Sequence, residues 1–567
     1  MPSDERPVRD LADAYVEGLA ELDPIMATMV GIRPGDDRMP DFSPSGQESR
    51  DGLARATLRR LDEATGGGTG GDTDPADGDE RRCGRLLRER LGAALATSAA
   101  GEPLRDVSNL MGPVQQTRTV FTLMPTETPD DWAVVARRMA RVPEALAGYR
   151  ASLTEGLSRG LLAAPLQAST LVEQLAQWNA AAEGRGWFAG FTDAAEVPPA
   201  LRTELEQAAA SATSATTDLR CWLADEYLPR AEGTPDGVGE ERYRVAARQW
   251  TGADLDLAEA YQWGWAEYRR LVSEIEAEAA RVLPGASAAE AMAHLDEHSE
   301  VVHGVEEIRL RLQRMMDEAI AELDGTHFDL TEPMRTVEAR IAPAGSAAAP
   351  YYSRPSKGFA RPGRTWLPTL GRTSFPLWGL ISTWYHEGVP GHHLQFAQWT
   401  GMADRLSTYQ ATVGSVSACS EGWALYAERL MDELGYLEPQ GARIGYLEAQ
   451  LMRAVRVVID IGMHLGLPVP AGSPVGDGQR WTPELGRAFM AAHSGRGQAF
   501  VDSEIVRYLG RPAQAISYKL GERAWLAGRE AAKANHGAAF DLKSWHMSAL
   551  ALGALGLDDL AGELAAL

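Results

Sequence analysis

Three histidines and one carboxylate crowd into eight residues, His386-Glu387-Gly388-Val389-Pro390-Gly391-His392-His393, of a chain with only eleven histidines in 567 residues. On a helix this is the residue set of zinc hydrolases. Two neutral imidazoles take the ion, and the adjacent carboxylate removes a proton from the water bound to it. The spacing departs from H-E-x-x-H, in which one helical turn brings both rings to one metal. Four residues after His386 stands Pro390, and the next histidines follow at six and seven. Proline removes a backbone donor and clashes with the preceding turn, and Gly391 loosens the helix further. The spacing therefore predicts a π-bulge or a short break inside the metal helix. A two-residue bulge carries His392 to the place of the second ligand. An undistorted helix would instead put His393 on the face of His386 two turns away, a long reach for one ion. His392 is the favoured ligand and His393 the alternative. The competing reading, a polar helix end whose histidines cap carbonyls, fits poorly with Trp384, Leu394 and Phe396, which mark a half-buried helix.

Hydrolysis needs a third protein ligand and an open fourth position. Glu421, in Cys419-Ser420-Glu421-Gly422-Trp423-Ala424-Leu425-Tyr426-Ala427-Glu428, supplies the candidate. It lies about thirty residues beyond the histidines, which allows a loop and a second, antiparallel helix. Glu421 and Glu428 share one helical face with Leu425 between them. Glu421 follows small, apolar residues that suit a buried ligand, although a carboxylate near a helix N-terminus is also favoured by the dipole alone. Glu428, next to Arg429, reads as support behind the ligands or as a solvated residue.

The run from His386 to Gln395, followed by Glu421-Gly422-Trp423-Ala424-Leu425-Tyr426-Ala427-Glu428, resembles the bacterial domain-of-unknown-function family numbered 885. Arg453 to His464, Arg507 to Gly521, Phe540 to His546 and the early Pro24 to Ile32 also fit that family's pattern. The clear matches span roughly residues 380 to 555. The resemblance implies a large, mainly α, zincin-like fold related to the carboxypeptidase Taq metallopeptidases, with a deep cleft, but no particular substrate. Many relatives are exported or lipid-anchored, and this chain shows no such signal.

From Arg453, the polar residues Arg456, Asp460 and His464 follow at steps of three, four and four along an otherwise apolar helix. Buried charges are costly unless paired, so an Arg456–Asp460 ion pair is expected. Arg453 and Arg456 could bind a substrate carboxylate, and His464 a metal ligand or the scissile group. An ion-pair ladder between helices is the structural alternative. Further on, Arg507, Tyr508 and Tyr518 flank the Pro512-Ala513-Gln514 turn. Zinc peptidases need a donor aimed at the developing oxyanion, which makes Tyr508 and Tyr518 candidates and Arg507 a further substrate contact. Tyrosines in a core with a satisfied hydroxyl are commoner, and His546, alone on a C-terminal helix, reads as structural.

Composition frames this. Hydrophobic content of 44% and charged content of 24% are those of a soluble globule. A net charge of −24 argues against nucleic acid or an anionic membrane as partner. Three isolated cysteines, Cys83, Cys221 and Cys419, suggest a reducing compartment and no zinc–thiolate site. The opening residues hold no apolar core and no apolar run reaches eighteen residues, so a cytoplasmic location is expected. Helical spacing recurs at Leu11 to Leu19, Arg82 to Ala96, Trp132 to Leu161, Leu201 to Leu228, Leu255 to Val282 and Val305 to Leu323. Thr65 to Asp79 reads as a mobile surface loop. Thr336 to Ala342 alternates like a strand and could pair with Gly363 to Pro368 as a small hairpin or sheet. Such a sheet, just before the metal helix, could hold an extended peptide. The loop from Gly345 to Arg364, with Tyr351, Tyr352, Arg354 and Lys357, could cover the cleft. The expected division is a helical lobe over 1–330 and a metal-site lobe over 331–567, forming one continuous unit.

The resulting expectation is a zinc-dependent, carboxypeptidase-like hydrolase of peptide or amide bonds. His386, His392 and Glu421 hold one Zn2+ and Glu387 is the general base. Two rivals stand beside it: an iron or manganese enzyme on the same two-histidine, one-carboxylate set, and a metal-free helical binding protein. Oligomeric state, monomer or homodimer, is left open.

Overall fold

The computed structural model describes residues 6–66, 78–342, 349–438, 441–495 and 497–567. Most of the low-complexity stretch expected to be mobile, and residues 345–348 of the covering loop, lie outside the described residues. Helix makes up 68% of the protein and strand 4%, so the fold is mainly α. Among the described residues no helix is long and apolar enough to cross a membrane.

The chain forms two compact units. The first comprises Met1–Pro75, Leu87–Val245 and Glu504–Pro512. Its core gathers Phe121, Leu153, Leu171, Phe188, Leu205 and Leu219 between the helices Val142–Arg159, Pro165–Ala180 and Pro199–Trp222. The pattern read as one helix from Trp132 to Leu161 is two, Pro129–Met139 and Val142–Arg159. Pro143 explains this: a residue without a backbone donor is tolerated only in a helix's first turn, so a new helix starts there.

The second unit comprises Ala76–Leu86, Ala246–Ser503 and Ala513–Leu567. This differs from the expected boundary at residue 330. The helix Leu257–Val282, started by Asp256 Oδ1 accepting from the amides of Ala258 and Glu259 at 3.0 Å each, packs along the helix Ala442–Leu465. Contact is close enough that a Cβ on Gly264 would fall 2.8 Å from Val457 Cγ1. Residues 246–330 therefore fold with the metal-site segment, and the short Glu504–Pro512 segment folds with the first unit.

Among the described residues, the second unit holds five short strands. β1 (Val301–His303) pairs antiparallel with β5 (Ser374–Pro376). β2 (Val337–Ile341), β3 (Tyr351–Ser353) and β4 (Gly363–Leu367) form a sheet in the order β2-β4-β3. The expected pairing of β2 with β4 is present, but parallel rather than as a hairpin. The reason is β3, which turns back against β4 and takes the antiparallel position. The segment read as a covering loop is thus partly sheet, with Tyr351 stacked on Trp366 at 5.8 Å.

Candidate metal centre

The predicted distortion is a complete break. One helix, Ile381–Glu387, ends at Gly388, and a second, His392–Gly401, begins after Gly391. The chain turns sharply enough that a Cβ on Gly391 would lie 2.0 Å from the His386 carbonyl oxygen, and one on Gly388 2.1 Å from Met316 Sδ. At Gly391 the clash is with backbone and only glycine fits, whereas at Gly388 the Met316 side chain would have to move aside. The indole Nε1 of Trp423 donates to the carbonyls of Pro390 and Gly391 at 3.0 and 3.1 Å, satisfying acceptors that the break releases.

The break swings His392 toward His386, their ring centres 4.7 Å apart and nearly perpendicular. Opposite stands Glu421, on the helix Ser417–Glu433. A second close backbone contact positions that helix: a Cβ on Gly422 would meet Gly521 C at 2.3 Å, and one on Gly521 would meet the Ala418 oxygen at 2.0 Å. The helix Ser517–His536 is thereby drawn against the glutamate helix. Glu421 Oε2 lies 3.4 Å from His386 Nε2 and 3.5 Å from His392 Nε2. These separations exceed an ordinary N–H···O bond, and buried Glu421 Oε2 has no hydrogen-bond partner among the described residues. They match the edge of a tetrahedron about one zinc, which bonds of about 2.0–2.1 Å set at about 3.3–3.4 Å. The donor set, two imidazoles and one carboxylate with all ligand atoms within 4.8 Å of one another, fits one zinc ion.

Behind His386 lies a fully buried support. Glu428 Oε1 accepts from His386 Nδ1 at 2.8 Å, and its other oxygen accepts from the Ser382 hydroxyl. Arg453 Nη2 pairs with Glu428 Oε1 at 3.2 Å. Burial opposes the charged form of Glu428, yet Arg453 and the His386 bond hold its carboxyl below the usual range. A carboxylate only accepts, so Nδ1 of His386 carries a proton and Nε2 faces Glu421; burial opposes the charged ring, but Glu421 and Glu428 raise its pKa. For Glu421 too burial is outweighed, here by His392 and His386, and its carboxyl is held well below normal. Glu387, only 8% exposed, goes the other way: burial, reinforced by Glu421 and Glu428, pushes its carboxyl up to about 8.

His393, the alternative ligand, is occupied elsewhere. Its Nε2 donates to the Met334 carbonyl at 2.9 Å and its Nδ1 lies 2.9 Å from the Tyr352 hydroxyl. Burial pushes its pKa down to about 4, so the ring is neutral and Nδ1 accepts. It joins the metal helix to β3. Of the two candidate tyrosines, Tyr518 is beside the cluster, its ring 6.5 Å from that of His386 and tilted 19° from it. Arg453 and Arg456 approach the Tyr518 ring at 5.9 and 5.0 Å. Arg453 thus lies on the Nδ1 side of His386, away from the ligand atoms, where it neutralises Glu428. His464 stands eleven residues further along the same helix, about 16 Å away at 1.5 Å per residue. There its Nε2 is 3.9 Å from Asp460, which accepts from the Ala513 amide. Arg507 and Tyr508 belong to the first unit, where both bond Glu504, at 2.7 Å each. His546 is buried, stacked on Phe328 and 2.7 Å from the Tyr426 hydroxyl, as a structural histidine should be. Sequence reasoning left Glu428 between two roles and did not see Ser382 or Tyr352 as supports. The seven-residue step from Glu421 was the available signal for Glu428.

The fold is mainly α and carries a largely buried His/His/Glu cluster. Residues 24–564 match the family described as a bacterial protein of unknown function, DUF885, and the chain belongs to that family. No curated protein matches it. Among solved structures it is similar to a "putative lipoprotein" from Colwellia psychrerythraea, with 22% identity, a TM-score of 0.84, and coverage of 100% of this chain and 99% of that one. It is also similar to a "putative lipoprotein of unknown function" from Shewanella oneidensis, with 18% identity, a TM-score of 0.72, and coverage of 98% and 99%. At these identities the likeness is one of fold. It nevertheless corrects the cytoplasmic location expected from the opening residues and the cysteines. Both neighbours, alike over nearly their whole lengths, are described as lipoproteins, a class anchored to membranes, so those features do not fix a cytoplasmic compartment.

Proposed function

We propose that the protein is a zinc-dependent hydrolase of peptide or amide bonds, similar in chemistry to the carboxypeptidase Taq metallopeptidases. The observation that supports this most is the placing of Glu421 Oε2 at 3.4 and 3.5 Å from two imidazole nitrogens, one of them oriented from behind by Glu428. A zinc ion held by His386, His392 and Glu421 would supply Lewis acidity to a bound water and to the substrate carbonyl. Glu387 follows His386 directly and is buried within electrostatic range of His392 and Glu421, where it can take up a proton and return it to a leaving amine. Glu428, Ser382 and Arg453 keep His386 in one tautomer. The Tyr518 hydroxyl, on the ring beside His386, is the donor for the developing oxyanion. Digestion of a peptide library by the zinc-loaded protein tests the reading. Glu387→Gln should lower cleavage by about 10²–10⁴-fold while zinc stays bound. Equal cleavage by wild type and variant would reject it.

A further inference from the structure

Beside the cluster lie two arginines, Arg354 and Arg361, that make no salt bridge among the described residues. The Arg354 guanidinium lies 4.1 Å from the centre of the Phe396 ring, and Phe396 stacks on His392 with ring centres 5.7 Å apart. Arg354 Nη1 donates to the carbonyls of Ala411 and Thr412 at 3.0 and 3.1 Å. These two bonds fix the head of the side chain and leave Nε and Nη2 without a partner among the described residues. Arg361 lies within electrostatic range of the same Tyr352 hydroxyl as Arg354. Its backbone amide bonds Ser356, and its guanidinium feels Glu338 only at a distance, without a salt bridge among the described residues, so Arg354 is the more open of the two. The contrast is local: Arg340 and Arg364, on β2 and β4, both pair with Glu338 at 2.7 and 2.9 Å. In a chain with 79 acidic and 55 basic residues, a half-buried arginine without an acid is a cation held open. Burial pushes Arg354 down to about 10, so it keeps its charge at neutral pH.

Resting on the zinc-hydrolase reading above, we propose that Arg354, assisted by Arg361, receives a carboxylate of the substrate. Two ring contacts separate Arg354 from His392. An extended residue spans about 3.3–3.6 Å, so a carboxylate on Arg354 lies within about three residues of a carbonyl at the centre. A free peptide C-terminus meets that requirement, as does an acidic side chain near the scissile bond. The substrate class is therefore a short peptide with a carboxylate within about three residues of the scissile bond, and Arg354 selects it through the bidentate geometry that guanidinium and carboxylate share.

The test is binding, which needs no turnover. Tripeptide libraries in free-acid form, in C-terminally amidated form, and amidated but enriched in glutamate are titrated against the full chain. The wild type should retain the free-acid library about tenfold more strongly than the amidated one. Recovery of binding by the glutamate-enriched amides would assign the carboxylate to a side chain rather than a terminus. Arg354→Gln should abolish the preference, Arg354→Lys should restore part of it, and Arg361→Gln should weaken it, all with unchanged zinc content. Equal retention of all libraries by the wild type, including retention of none, overturns the proposal even if Arg354→Gln fails to fold. A carboxylate preference without any hydrolysis would instead reject the hydrolase reading and leave this binding site standing.

Discussion

Glu428 accepts the Nδ1 proton of His386 at 2.8 Å, and through that one bond the ligand atom Nε2 is turned toward Glu421. A residue outside the proposed ligand set therefore orients one of its rings. Carboxylates behind metal-bound histidines raise ligand basicity and lock the ring. Glu428→Gln should weaken zinc binding by about 10–100-fold, as read by competition with a chromogenic chelator. An unchanged affinity would show that the ring holds its orientation without the charge.

His392 and His393 are neighbours with opposite expected outcomes. His392→Ala should remove stoichiometric zinc at little cost to folding. His393→Ala should keep the zinc but lower stability by about 1–3 kcal/mol, because the Tyr352 hydroxyl and the Met334 carbonyl would lose their buried partner. Metal analysis beside denaturant unfolding separates the two. Loss of zinc in the His393 variant alone would reverse the assignment.

Gly422 and Gly521 let two helix backbones touch, and a side chain at either must push them apart. Gly422→Ala should cost about 1–3 kcal/mol and should weaken zinc binding as Glu421 shifts with its helix. Full stability together with full affinity would mean that the crossing relaxes freely.

His546, packed on Trp423, gives a pH signature of its own. Burial pushes its pKa down to about 3 from 6.5, so the folded protein keeps the ring neutral while the unfolded chain takes up a proton. Between those values the unfolded state binds more protons, and stability must fall as pH falls. His546→Gln should flatten this dependence by about 1.4 kcal/mol per pH unit within that window. Parallel stability curves for the two proteins would contradict the assignment.

Much of this was legible because the deciding residues carry distinctive chemistry. Pro390 and Gly391 announced the break, and the pairing of His386 with His392 followed from it. Glu421 stood out by its distance from the histidines and its small, apolar lead-in. The mainly α fold was readable from 3.6-residue spacing, and β2 and β4 from alternation. What stayed hidden depends on contacts far apart in sequence. Nothing near Arg453 says that it pairs with Glu428, and nothing near His464 says that its nearby carboxylate is Asp460, about three turns beyond Arg453 on the same helix. Arg507 and Tyr508 sit close to Tyr518 in sequence, yet they fold with the other unit. The parallel pairing of β2 and β4 likewise required β3, whose three residues are too few to show a pattern.

The most direct measurement is zinc content after purification and dialysis, for the wild type beside His386→Ala and Glu421→Ala. One zinc per chain in the first and none in either variant is the expected result. A wild type that binds no zinc, or variants that hold it as well as the wild type, would contradict a His386/His392/Glu421 centre.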